Sequence, residues 1–146
     1  MEARMNIAEL APNGYKRVIT LENFIQASDI NKTQLELIKI RASQINGCAF
    51  CINMHTKDAM AMGESAQRIF LLDAWRETNV FSDEERVILA MTEEVTKIHE
   101  HGLSDETYKA AKALFTESYI AQVILAIATI NVWNRIAISS HTQPDL

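Results

Sequence analysis

The sequence predicts an all-α fold, a compact bundle of about six to seven helices in one domain over residues 1–146, and three observations carry that expectation. Only four glycines and two prolines occur in 146 residues, too few for the many turns of a β-sandwich or barrel. Apolar residues recur at spacings of three and four rather than two. Start and stop signals bracket those runs: Asn31 with Gln34 and Ser82 with Glu85 resemble capping boxes, Ser104 is a further cap, and Gly47, Gly63 and Gly102 stand where helices should end. At 48% hydrophobic residues the chain has enough apolar surface for a sizeable core, and disorder does not fit.

The elements follow in order. Tyr15–Ser28 reads as a helix with Val18, Leu21, Ile25 and Phe24 towards one face. The next opens at Asn31 and runs to Asn46, with Leu35, Ile38, Ala42 and Ile45 as its apolar stripe. Another begins near Cys48 and ends at Gly63, and Ser65 to Thr78 forms a fourth through Ile69, Leu72 and Trp75. The Ser82 box opens a helix that should bury Val87, Ile88, Met91, Val95 and Ile98 and stop near Gly102. A short helix follows from Ser104 to Phe115. The last, Glu117 to Ser140, is isoleucine- and alanine-rich and too long for a strand. It is apolar on more than one side, so it should lie at the bundle centre, meet another subunit, or both. Met91, Trp75 and Trp133 are the residues to watch as core or interface.

Charge narrows the function. The net charge is −5 with no basic stripe, which excludes ordinary nucleic-acid binding. Ser82–Glu106 holds eight acids and two bases, read here as a solvated helix face. Met1–Leu10 has no apolar core resembling a secretory signal. Ser118–Asn134 is uncharged but interrupted by Gln122, Thr129 and Asn131, which favours a buried core helix over a membrane span. The expectation is a cytoplasmic protein with no membrane association and with reduced cysteines.

The chemistry concentrates in Glu36–His55, ELIKIRASQINGCAFCINMH. Ile52 after the second cysteine excludes haem attachment, and the pair follows a helix and a glycine rather than the strand of a thioredoxin-like motif. A structural zinc site needs four ligands, whereas Cys48, Cys51 and His55 supply three and leave only a distant His99, His101 or His141. No metal and no cofactor is therefore expected. Two inert core cysteines are the bland alternative. Against it, Cys48 stands at a helix start, where unpaired N–H groups favour a thiolate. Cys48, Cys51 and His55 share one helical face at spacings of three and four, with the cysteines within reach of a disulfide. Phe50 and Ile52 should point into the core. On the preceding helix Glu36, Ile40, Ser43 and Gly47 step along one stripe, so antiparallel packing would bring Glu36 level with His55. Carboxylate, imidazole and thiol then make a proton relay. Taken alone, Glu36 reads equally well as a surface glutamate beside Lys39 or Lys32.

Glu36, Cys48, Cys51 and His55, as E-x11-C-x2-C-x3-H, resemble the alkylhydroperoxidase D-like branch of the carboxymuconolactone decarboxylase family. Asn131-Val132-Trp133-Asn134-Arg135-Ile136 resembles that family's last helix, and the resemblance runs at least from Tyr15 to Ser140. It implies an all-α fold, peroxide reduction through the cysteine pair with Glu36 and His55 as relay, and homo-oligomers, commonly trimers or hexamers. Phe50 departs from relatives that carry histidine before the second cysteine, which bears on thiol reactivity.

The reading is thiol-dependent reduction of a small hydroperoxide in antioxidant defence. Cys51 attacks the peroxide because His55 is one turn away. Cys48, expected to be the more exposed, resolves the sulfenic acid and receives an external lipoyl- or thioredoxin-like dithiol reductant, although its helix-start position also activates it. The alternatives are a redox-sensing or disulfide-exchange protein without peroxidase turnover, a carboxymuconolactone decarboxylase-like enzyme, which would need no cysteine pair, and a zinc-stabilised interaction module, which metal analysis would separate.

Overall fold

The computed structural model describes Met1–Leu146 as eight α-helices and a 3₁₀ segment with no strand. In order these are α1 (Ile7–Leu10), α2 (Pro12–Gln26), α3 (Lys32–Asn46), α4 (Ala49–Ala61), α5 (Ala66–Leu71), the 3₁₀ segment Leu72–Glu77, α6 (Asp83–Thr96), α7 (Asp105–Leu114) and α8 (Glu117–Ser140). The seven expected helices are present. The addition is α1, a single turn capped by the Asn6 side chain, too short to show a period. Ser65–Thr78 is bent rather than straight, because Ala74 leaves helical geometry within the 3₁₀ segment.

Local signals explain most boundaries. Ser82 and Glu85 form a reciprocal capping box at α6. Asn31 caps α3 through its side chain, but Gln34 does not reciprocate; its Oε1 accepts the Tyr119 hydroxyl on α8 instead. Ser104 caps α7 as expected. α6 ends at Thr96, well before Gly102, so Ile98 falls on the following turn and is exposed rather than buried. Phe24 also faces out, leaving Ile25 as the buried residue of α2.

The core decides the architecture. One cluster joins Ile25, Leu35, Ile38, Ile88, Met91, Val123 and Ile127 from α2, α3, α6 and α8. A second joins Leu37, Ile40, Ala59, Leu72, Trp75 and Leu89 on another side of α3. With a core on two flanks, α3 is enclosed, and every residue from Leu35 to Ser43 is buried. Met91 and Trp75 are therefore core residues. Fully burying a leucine or isoleucine is worth about 1.5–3 kcal/mol, so the apolar residues of α3 stabilise the bundle on two flanks.

α8 is less enclosed than its sequence implies. By length and composition it is apolar enough to cross a membrane, yet only half of its most apolar window is buried, and the helix packs against α2, α3, α4, α6 and α7. Its outer face, with Leu125 and Val132, is exposed. Part of the acidic Ser82–Glu106 stretch turns inward instead of forming a solvated face. Glu93 binds Arg41, Arg76 and the Trp75 indole, and Glu94 accepts from the Ser104 and Thr107 hydroxyls.

Candidate active site

The turn between α3 and α4 sets the site. Gly47 closes α3 at φ +71°, a left-handed conformation that favours glycine, and the Cys48 N–H donates back to the Ser43 carbonyl at 3.0 Å. Cys48 then serves as the N-cap of α4, its Sγ accepting the Cys51 N–H at 3.3 Å. Asn134 from α8 steadies this corner. Its amide donates to the Ser43 hydroxyl at 2.9 Å and its carbonyl accepts from Asn46 at 2.8 Å.

With the helices folded back on one another, the Glu36 carboxylate accepts from His55 Nδ1 at 2.8 Å. Both side chains are buried. A carboxylate can only accept here, so the Nδ1 proton is fixed and Nε2 is left for proton exchange. Cys51 lies one turn before His55 on α4 and is bonded to Cys48, with Cα atoms 5.3 Å apart. The four residues picked from the sequence are thus brought together, and Glu36 is no surface glutamate.

Cys51, His55 and Glu36 line one cleft of about 410 Å³, large enough for a small organic molecule. Its apolar walls come from Phe50, Met54, Trp133 and Ile136. Two expectations change. Phe50 is half-buried, packed against the Cys48–Cys51–Ala137 cluster and lining the cleft rather than fully in the core. Cys48 is not the more exposed cysteine: it is 1% exposed against 2% for Cys51. It faces a separate hollow of about 270 Å³, covered by Met1 and the chain from His141 to Pro144. That tail is held where Asn53 and Lys57 donate to the Asp145 carbonyl, at 3.0 and 2.6 Å.

The structure adds residues that periodicity did not single out. Lys39, on the Glu36 stripe, is buried; its ammonium contacts Glu22 of α2 and lies 4.0 Å from Glu36 Oε1. Glu22 also accepts from Gln26 at 2.9 Å and from the Trp133 indole at 3.2 Å. Burial pushes the Glu22 carboxyl up, but these hydrogen bonds and the Lys39 charge outweigh it and hold the group below its ordinary value. Trp133 belongs to the cleft, its ring edge-on to Tyr15. The i, i+3 spacing of Glu36 and Lys39 was the available signal; Glu22 and Trp133 had none at short range. Glu36, His55 and Asp58 also place ligand atoms within 4.8 Å of one another. Glu36 is hydrogen-bonded to His55 and lies beside Lys39, and Asp58 is exposed.

Comparison with known proteins then decides the family, since the model of the carboxymuconolactone decarboxylase family matches residues 12–94. The chain belongs to the carboxymuconolactone decarboxylase family. Within it, the alkylhydroperoxidase D-like branch is the place of this member. The uncharacterized protein YdfG of Bacillus subtilis is 45% identical over 139 residues, 95% of each chain. The crystal structure of an Agrobacterium tumefaciens protein of unknown function, for which a role in antioxidant defence has been put forward, superposes with a TM-score of 0.96 at 41% identity, covering 99% of both chains. The debrominase Bmp8 shares the fold at a TM-score of 0.82 and 18% identity, over 92% of this chain and 72% of the other. The family's all-α architecture is thus the one observed, and the site sits on its α3–α4 hairpin.

Proposed function

We propose that the protein reduces small hydroperoxides through Cys51 and Cys48, with His55 and Glu36 as proton relay. The observation that carries this reading is that Cys51 shares its cleft with the hydrogen-bonded His55–Glu36 pair, whereas Cys48 lines a neighbouring hollow. Starting from the dithiol, His55 accepts the Cys51 proton. The thiolate attacks one peroxide oxygen, the O–O bond breaks, and the leaving alkoxide takes the proton back from His55 to depart as an alcohol. Sulfur is oxidised by two electrons and becomes a sulfenic acid. The Cys48 thiol attacks that sulfur, forming the disulfide and releasing water. An external lipoyl- or thioredoxin-like dithiol then returns two electrons and two protons by exchange.

The relative with a suggested antioxidant role agrees with this reading. The setting is the cytoplasm, and the working form is a homo-oligomer, a trimer or hexamer, joined through apolar surface such as the outer face of α8. Steady-state peroxide consumption with several donor dithiols tests the activity. The native chain should turn over, Cys51→Ser should not, and Cys48→Ser should stop after one equivalent. Disulfide exchange without peroxide consumption in the native chain would overturn the peroxidase reading.

A further inference from the structure

Beyond Cys51, His55 and Glu36, the cleft contains one fixed cation, Lys39, with its side chain 2% exposed. A buried ammonium needs a partner, and this one has two: Glu22 of α2 in direct contact, and Glu36 Oε1 at 4.0 Å. Glu36 therefore works with both oxygens, Oε2 towards His55 and Oε1 towards Lys39. We propose that Lys39 is a positioning residue for the thiol chemistry, holding Glu36 by its Oε1 so that Oε2 stays aimed at His55, with Glu22 and the Trp133 indole fixing Lys39 in turn. This rests on the relay reading above and extends it to α2 and α8.

The surroundings leave Lys39 no substitute. α2 contributes Glu22 and the Tyr15 phenol to the cleft, α4 contributes Cys51, His55 and Asp58, and the α8 lining carries no charge. On the α6 side of α3, Glu93 is taken by Arg41 and Arg76, and Glu94 by Ser104 and Thr107. Without Lys39 no lysine or arginine would line the cleft, and the buried Glu36 would lose the cation beside its Oε1. Glu36 would then hold the His55 Nδ1 proton less firmly, and His55 would assist ionisation of Cys51 less.

Removing Lys39 alone leaves Glu22 unpaired and endangers folding, so the informative variant is Lys39→Met with Glu22→Gln, which deletes both charges of the pair. In a reduced Cys48→Ser background, the rate of Cys51 alkylation by iodoacetamide is followed against pH and compared with Glu22→Gln alone. The expected result is a profile displaced to higher pH by about one unit, a roughly tenfold slower reaction near pH 7. Thermal melting of the same samples reports packing separately. A double variant whose profile coincides with that of Glu22→Gln, while Glu36→Gln is displaced, overturns the Lys39 assignment and leaves the relay standing. If Glu36→Gln is not displaced either, relay and assignment fall together.

Discussion

At the scale of single residues, the Glu36–His55 contact is where chemistry and structure meet. Glu36→Gln keeps the shape and removes the charge, and Lys39 retains Glu22 as its partner. Peroxide turnover near pH 7 should fall by about 10–100-fold, the usual consequence of losing an orienting partner, while the melting temperature changes little. His55→Gln should act in the same direction. The double variant should lose less than the two single losses combined, because the residues act as one unit. Additive losses in kcat/KM would show that the two side chains act independently. Gly47 carries a second residue-scale prediction. No atom lies within 4 Å of an added Cβ, so the cost of Gly47→Ala is conformational alone. At φ +71° it should amount to about 1–2 kcal/mol, read as a lower denaturant midpoint with an unchanged slope.

At the scale of elements, Glu93 of α6 ties together α3, through Arg41, and the 3₁₀ segment, through Trp75 and Arg76. Burial pushes its carboxyl up, but the bonds from Arg76, Trp75 and Arg41 outweigh burial and leave it below its ordinary 4.5. A carboxyl lowered by folding stabilises the native state above 4.5, and that contribution is lost as pH falls through the lower folded value. Melting temperature should therefore drop as the pH falls below 4.5. Glu93→Gln should melt lower than the parent near pH 7 and lose less than the parent over the acid range. Parallel melting curves for the two proteins would show that Glu93 has no part in the acid sensitivity. The tail makes a second element-scale prediction. Deleting Gln143–Leu146 removes the Asp145 contacts to α4 and uncovers the hollow beside Cys48, so dithiothreitol should reduce the disulfide faster. An unchanged rate would mean that reductants reach the pair through the Cys51 cleft.

At the scale of the whole molecule, the largest open question is the outer face of α8. Ala121, Leu125, Ala128 and Val132 follow one another at spacings of four, three and four, and all are exposed. With 48% of the chain apolar and the inner face of α8 already in the core, this stripe is surplus to the folding of one copy. Sedimentation at micromolar concentration should give a species heavier than the 16.5 kDa chain, and Leu125→Glu with Val132→Glu should return it to monomer. A native chain that sediments as a monomer would refute the assembly.

Much of this molecule was open to a sequence reading because its determinants are local. Capping at Ser82 and Ser104, the stop at Gly47 and the three-and-four periodicity act within a turn or two, and they located seven of the eight helices. The common face of Cys48, Cys51 and His55 follows from helical geometry in the same way. What tertiary structure alone decided is which faces are enclosed. α3 lies between two cores, so Lys39, an ordinary surface residue by type, is buried and needs Glu22, seventeen positions away, and through it Trp133. Cys48 clusters with Cys51 of its own helix and with Ala137 of α8, and the hollow beside it is also lined by Met1 and the distant tail. Ile98 and Phe24 fit apolar stripes yet are exposed, Ile98 because α6 ends before it. Periodicity states which side chains travel together; burial depends on what packs against them, and that is a property of contacts between segments remote in the chain.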